Sequence, residues 1–328
     1  MKRREFIAGL GGAVAWPVVA PAQQSDRVRR IAFLHVLAEN DPEARARVAV
    51  LRQALTQLGW TERNVQIEHR FAAGDFAQMQ AYATELVGST PDAIITNSTP
   101  ALAALKQATS TIPIVFSVVN DPVGQGFVAS LARPGGNITG FSYVDSPLLG
   151  KWLELLKEIA PSVKRITLIF NPQTAPYYPV FLRDFGPAAA TLGAELSSTQ
   201  VRDEAEVEAA VSRFAREAGG GLIAATDPFL NARRALIIAL AEQHRLPVIY
   251  GFQYVVREGG LISYSPDALD IVRRSASYVD RVLRGERPGE LPVQAPIKFE
   301  LVINLKTAKV LDLTVPSTLL AVADEVIE

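Results

Sequence analysis

Short apolar runs alternate with longer amphipathic segments along most of this chain. The run at residues 30–34 is followed by a segment, residues 42–58, whose apolar side chains recur at helical spacing: Val48, Leu51, Leu55 and Leu58. Short β-branched runs are typical of buried strands, whereas apolar residues at helical spacing are typical of amphipathic helices. The two patterns continue in turn to residue 143, which predicts a parallel sheet built from right-handed βαβ units.

The second half of the chain repeats this rhythm. Strands are predicted at residues 165–170, 195–199, 221–225, 247–250, 260–264 and 298–304. Helices are predicted at residues 148–159, 203–218, 231–244 and 267–283, and shorter helices near the end of the chain. We therefore predict an α/β protein with two doubly wound, Rossmann-like lobes and parallel sheets.

Residues 112–143 form the turning point between the two halves. A β-branched run at residues 114–116 leads into a polar loop, residues 117–122, and open α/β sheets bind ligands at such carboxyl ends of strands. A short helix is predicted at residues 126–132, followed by a glycine-rich turn and a strand at residues 138–142. We interpret this last strand as the point where the chain leaves the first lobe.

Residues 1–22 have the pattern of a signal peptide and are set apart from the folded protein. Basic residues at positions 2–4 precede an apolar stretch that is too short to span a bilayer. Arg3 and Arg4 fit a twin-arginine pattern, and small residues at Ala20 and Ala22 indicate cleavage before Gln23. We expect export to the periplasm, and no lipid attachment because the chain has no cysteine.

Composition narrows the function. The chain has 328 residues, 48% hydrophobic and 20% charged, with a formal net charge of −1, which argues against a nucleic-acid partner. The absence of cysteine excludes disulfides, thiolate metal sites and a cysteine nucleophile, and the three histidines lack metal-ligand spacing. No hydrolase, metalloprotease, phosphate-binding or dinucleotide motif is present. We expect no enzyme activity, cofactor or metal.

The predicted strand-end loops instead collect hydroxyl, amide and aromatic side chains, which suit a small polar ligand. We predict Asn97, Ser98 and Thr99, at a helix N-terminus with Thr99 as N-cap, to hold a carboxylate, or simply to cap the helix. Asp227 either pairs with a ligand ammonium or forms a turn before Pro228. The candidate ligand-binding residues are His35, Asn97, Ser98, Thr99, Ser117, Asn120, Asn171, Tyr177, Tyr178, Asp227, Tyr250 and Phe252.

Several motifs, in order, resemble a known family. They include NVQIEHRFAAG at residues 64–74, TIPIVF at 111–116, LARPGGNITG at 131–140, LRGERP at 283–288 and KFELVINLKTA at 298–308. Together they resemble the ABC-transporter substrate-binding family that includes tryptophan- and tyrosine-binding members. The resemblance covers essentially the whole chain after the signal peptide.

The resemblance implies a type I periplasmic binding protein whose two lobes are joined by three hinge crossings and close over a ligand. The lobes would comprise residues 28–143 plus 265–294, and 144–264 plus 295–328. It implies a monomer that captures a small polar or aromatic solute, an amino acid or related compound, for an ABC permease in the inner membrane. A sensory module that presents the solute to a membrane receptor is the alternative. The ligand itself does not carry over, because the loop at residues 171–178 has no serine for an amino-acid carboxylate.

Overall fold

The computed structural model describes residues 27–144 and 147–328, except for the side chains of residues 184–186 and 188. The predicted signal peptide lies outside the described residues. Within these ranges, no helix is both long and apolar enough to cross a membrane. The described chain forms two α/β lobes, each organised around one sheet.

The first sheet is fully parallel, with strand order β2-β1-β3-β4-β5. Its strands are β1 (Arg29–His35), β2 (Val65–Phe71), β3 (Ala93–Thr96), β4 (Ile114–Val119) and β5 (Ile138–Ser142). The helices between them are α1 (Pro42–Gln57), α2 (Phe76–Gly88) and α3 (Thr99–Ala108). The buried residues of β3 and β4 are almost all apolar, as expected for central strands covered on both faces.

The second sheet has seven strands in the order β12-β11-β10-β9-β8-β6-β7, and only the β10–β11 pair is antiparallel. Its strands are β6 (Arg165–Phe170), β7 (Glu195–Gln200), β8 (Gly220–Ala224), β9 (Val248–Tyr250), β10 (Ile262–Pro266), β11 (Phe299–Asn304) and β12 (Glu325–Ile327). The remaining helices are α4 (Pro147–Ile159), α5 (Tyr178–Thr191), α6 (Glu204–Ala215), α7 (Pro228–Ala232), α8 (Arg234–Gln243), α9 (Gln253–Arg257), α10 (Ala268–Leu283), α11 (Leu305–Val310) and α12 (Ser317–Val322).

The helix α10 follows a strand of the second sheet but packs against α1 and β4 of the first. Trp60 Nε1 donates to Asp280 Oδ1 at 2.8 Å, which ties the end of the α1 segment to α10. After α10, Gln294 pairs with Phe141 beside the first sheet before the chain enters β11. The chain therefore passes between the two sheets three times. The prediction of two lobes with mostly parallel sheets is confirmed.

Three local predictions are wrong. Residues 126–132 form turns rather than a helix, because Gly126 has a φ of 67° and Phe127 N–H bonds back to Pro122 O. The helix predicted at residues 231–244 is interrupted at Arg233, where ψ is 17°, so α7 and α8 are separate. Ser98, not Thr99, is the N-cap of α3, and its Oγ accepts from Ala101 N–H.

Candidate functional site

A cavity lies between the two lobes, where the carboxyl ends of the two sheets face each other. The part of it that the centre of a water molecule can occupy is about 20 Å³, room for about one water molecule, so the lobes fit closely together here. Of the candidate residues, those that line it are Asn97, Ser98, Thr99, Asn120, Tyr177 and Phe252. Residues that sequence analysis did not identify also line it: Arg47, Tyr143, Thr226 and Asn231, with apolar Val36, Val118 and Pro228. The structure thus brings together residues of both lobes in one site.

The loops of the first lobe are held in place by their own polar side chains. Asn97 Oδ1 accepts from Val36 N–H at 3.1 Å, which joins the loop after β3 to the loop after β1. Thr99 Oγ1 accepts from Asn120 N–H at 3.0 Å, which adds the loop after β4. The polar residues at the start of α3 therefore shape this wall of the cavity as well as facing it.

The side chain of Asn120 connects the two lobes. Its Oδ1 accepts from Val144 N–H, and its Nδ2 donates to Tyr177 Oη at 2.6 Å and to Thr226 Oγ1 at 2.9 Å. The backbone nearby is strained, since β-branched Val118 has a φ of 55°. Such conformations cost on the order of 1–3 kcal/mol and persist only where the surroundings impose them. The loop after β4 is therefore held in an unusual shape at the cavity.

Aromatic rings form much of the second wall. Tyr177 is buried, and its hydroxyl donates to Thr226 O at 3.0 Å. Burial raises the pKa of Tyr177 well above its ordinary value, so the phenol stays neutral. Tyr143 and Phe252 stack with ring centroids 5.1 Å apart on another side. The cavity combines flat apolar surfaces with hydroxyl and amide groups.

Asp227 lies behind the cavity wall and does not line it. The residue is fully buried, and its carboxylate accepts from Asn171 N–H, Thr174 Oγ1 and Phe229 N–H. Burial raises the pKa of Asp227 to about 6, although these donors oppose the shift. Its carboxylate is therefore used to cap α7 and to fix the loop after β6, which is the turn-forming role that the sequence left open.

The other candidate residues that do not line the cavity have places elsewhere in the lobes. Ser117 Oγ donates to Thr96 O, and Asn171 Oδ1 accepts from Gln173 N–H within its own loop. Tyr178 lies behind Tyr177 and exchanges hydrogen bonds with Thr226, and Tyr250 is buried in β9. His35 is buried at the end of β1. These residues support the loops that form the cavity.

Arg47 lines the cavity but was not among the residues predicted from the sequence. Its side chain is 1% exposed, and its Nε donates to Glu43 Oε1 at 2.8 Å. Burial disfavours the charge, but Glu43 and neighbouring tyrosines raise the pKa of Arg47 above its ordinary value, so the guanidinium is charged. Arginine in an amphipathic helix usually faces solvent, and exposed Arg45 and Arg52 of α1 do so. Residue type does not separate Arg47 from them, and only its spacing from Leu51 and Leu55 places it on the apolar face of α1.

Comparison with known proteins decides the family. Residues 34–327 match the model of the ABC transporter substrate-binding protein family. The chain belongs to this family. The resemblance noted in the sequence is confirmed, and the chain is a substrate-binding protein of the ABC transporter class. Members of the family are solute-binding proteins rather than enzymes, and membership implies an extracytoplasmic location and a permease partner.

Individual relatives agree with this assignment. A tyrosine-binding protein of Clostridioides difficile strain R20291 is 29% identical over 252 residues, which cover 76% of this chain and 71% of the relative. A conserved domain protein of Vibrio cholerae is 32% identical with a TM-score of 0.84, covering 92% of this chain and 100% of that one. An ABC domain from Streptococcus pneumoniae in complex with L-Trp is 24% identical, with the same TM-score and coverage. The likeness to this last structure extends to the fold alone.

The two lobes of this substrate-binding protein also contact each other around the cavity. Arg234 of α8 bonds to Asp41, which caps α1, with 2.7 Å between Nη1 and Oδ2. Gly74, after β2, lies against Pro228 and Ala232 of α7. Tyr143 Oη donates to Gly251 O at 3.1 Å. These contacts hold the lobes closed on each other around the cavity.

A pair of histidines lies behind the first wall. His35 Nε2 and His69 Nδ1 are 2.8 Å apart, and the ring of His35 stacks on Phe33 and Phe71. Burial lowers the pKa of His35 well below its ordinary value, and that of His69 to a lesser extent. One ring must accept the hydrogen bond, so this arrangement requires neutral imidazole.

This pair should make the protein less stable in acid. Because both pKa values are lower in the folded state, the unfolded state binds more protons below about pH 6.5. The stabilisation from the neutral pair is fully present above that pH. As the pH drops below it, the free energy of unfolding falls by up to about 1.4 kcal/mol per pH unit for His35. Urea unfolding at pH 7.5 and 5.5, of the native protein and of a His35→Gln/His69→Gln variant, measures the difference. An equal pH dependence in both proteins would contradict this account.

Proposed function

We propose that this substrate-binding protein captures a small polar or aromatic solute, an amino acid or a related compound, in the cavity between its lobes. The observation that carries the proposal is the cavity itself, which is lined by polar and aromatic residues of both lobes. Sites for small molecules are concave and mostly apolar, with a few polar groups that fix orientation. The rings of Tyr143, Tyr177 and Phe252 supply the apolar surface, and Asn97 and Asn120 supply polar groups.

The relatives support an aromatic ligand. One of them is a tyrosine-binding protein, and another structure of the same fold contains L-Trp. Ring stacking against Tyr143 or Phe252 suits a planar side chain. Release to a permease in the inner membrane would follow when the lobes separate, since residues of both lobes surround the cavity.

We further propose that the lobes comprise residues 28–143 plus 265–294, and residues 144–264 plus 295–328. The passage of the chain between the sheets supports this division, because α10 packs on the first sheet and β11 belongs to the second. Residues 1–22 act as a twin-arginine signal that brings the protein to the periplasm, where it works as a monomer. The basic pattern at Arg3 and Arg4 supports the export route.

A ligand that binds in the cavity should raise the melting temperature of the protein. After unfolding, dialysis and refolding to remove any bound compound, the protein is screened against amino acids and aromatic acids by thermal shift. A compound at a hundredfold excess over Kd stabilises the folded state by about 2.7 kcal/mol, which gives a shift of several degrees. If no compound in either class shifts the melting temperature, the proposed ligand class is wrong.

A further inference from the structure

We propose that Arg47 binds a carboxylate group of the ligand, and that the ligand is a compact organic acid whose recognition does not require an ammonium group. The proposal rests on the proposed function, because it assigns a chemical class to the solute captured in the same cavity. A simple amino acid would need protein partners for both of its charged groups. The ligand proposed here needs one only for its carboxylate.

The first support is the unsatisfied guanidinium of Arg47. Its Nε is bonded to Glu43, but Nη2, which is buried, has no hydrogen-bond partner among the described residues. A buried charged donor without a partner is costly, so such a group is expected to have one in its functional state. Arg47 lines the cavity, and a ligand there is within reach of the free side of the guanidinium. The planar fork of arginine matches a carboxylate.

The second support is the distribution of charge around the cavity. Among the described residues that line it, Arg47 carries a formal charge and the others are neutral. Glu43, which is bonded to Arg47, lines a neighbouring hollow instead. Asp227, the carboxylate that the sequence suggested for a ligand ammonium, is occupied by three donors of its own lobe. The lining therefore offers a cation and no anion.

The third support is the nature of the remaining polar groups. The N-terminus of α3, at Ser98 and Thr99, faces the cavity and adds the positive end of a helix dipole. Asn231 is buried with Oδ1 unpartnered among the described residues, and it gives a neutral acceptor for a ligand hydroxyl. With the rings of Tyr143, Tyr177 and Phe252, the lining has the chemistry that suits a hydroxylated or aromatic acid.

The experiment compares analogues that differ in one charged group. Calorimetric titration uses tyrosine, its deaminated analogue hydroxyphenylpropionate and its decarboxylated analogue tyramine, and the matching tryptophan, indolepropionate and tryptamine series. The variant is Glu43→Gln/Arg47→Gln, which removes both buried charges together and leaves no unpaired ion, with circular dichroism to check the fold. Arg45→Gln is the control, because Arg45 is an exposed arginine on the same helix that does not line the cavity.

The expected result has three parts. The deaminated acids bind the native protein within about tenfold of the amino acids, and the amines bind at least about tenfold more weakly than the acids, which is about 1.4 kcal/mol. The double variant loses at least about tenfold in affinity for the acids, whereas Arg45→Gln keeps the native values.

Other results would contradict the role of Arg47 or the proposed ligand class. Amines that bind as well as acids, or a folded double variant with native affinity for acids, would remove Arg47 from recognition while solute capture stands. Amino acids that bind far more tightly than deaminated acids would show that the ammonium group is recognised. If neither series binds the native protein and the thermal screen yields a ligand without a carboxylate, this inference is wrong and the capture of a solute is not. If the screen yields no ligand, both are wrong.

Discussion

Replacing Gly74 with alanine is expected to weaken ligand binding by about five- to a hundredfold while both lobes stay folded. A Cβ at this position would lie 2.8 Å from Pro228 O and 2.9 Å from the Cβ of Ala232, both in the facing lobe. Inserting a methyl group into a close-packed contact costs about 1–3 kcal/mol. The chain can avoid that cost by opening the lobes, which breaks up the cavity. The variant therefore acts on the closed form rather than on the ligand contacts.

The measurement is calorimetric titration with the tightest-binding compound of the thermal screen, together with small-angle scattering with and without it. Gly126→Ala is the matched control, since Gly126 also has a positive φ, of 67°, but a Cβ there meets no atom within 4 Å. Any strain from alanine at positive φ is thus common to both variants. If Gly74→Ala binds like the control and contracts on binding as the native protein does, the closed arrangement described above is not the binding form.

Replacing Asp227 with alanine is expected to destabilise the second lobe by about 2–4 kcal/mol. The change removes the cap of α7 and leaves the N–H groups of Asn171 and Phe229 without their buried acceptor. Loss of a cap costs about 0.5–2 kcal/mol, and a buried unsatisfied donor costs about 1–3 kcal/mol. Urea unfolding measures the loss. Asp203→Ala is the control, because Asp203 also caps a helix of this lobe but is exposed, and its loss should cost only about 1 kcal/mol.

The effect of Asp227→Ala should grow in acid. The folded-state pKa of about 6 lies above the unfolded value of about 3.9. The stability gained from protonating Asp227 is therefore fully present below about pH 4 and is lost as the pH rises through about 6. The gap between the native protein and the variant should widen from pH 7 to pH 5. A gap that narrows, or a loss no greater than that of Asp203→Ala, would contradict the role assigned to this carboxylate.

The sequence predicted the lobes and about half of the site, and the reasons are physical. Strands and helices have periodic signals, and polar residues at strand ends lie at the ligand-binding edge of a parallel sheet. This reasoning identified Asn97, Asn120 and Tyr177, which line the cavity. His35, Ser117 and Tyr250 occupy equivalent positions at strand ends, yet they point into the lobes, because the direction of a side chain depends on the local path of the loop.

Other parts of the site depend on contacts that the sequence does not show. Arg47 lies on a helix among other arginines, and its guanidinium lies over the rings of Phe252 and Tyr254 of the second lobe. The carboxylate of Asp227 accepts a hydrogen bond from Thr174, which is far from Asp227 in sequence and lies in the loop after β6. The helix predicted at residues 126–132 does not form, because Gly126 has a positive φ and the N–H groups of Phe127 and Val128 bond back to Pro122 O in a local turn.

The position of α10 has a consequence for the order of folding. This helix covers α1 and β4, yet it follows β10, so the first lobe cannot complete its core until residues 268–283 have been synthesised. The second sheet in turn lacks β11 and β12 until the chain is almost finished. Contacts so distant in sequence form slowly and leave apolar surface exposed meanwhile. Neither lobe can therefore mature as an independent unit on the ribosome, and both depend on about the last fifth of the chain.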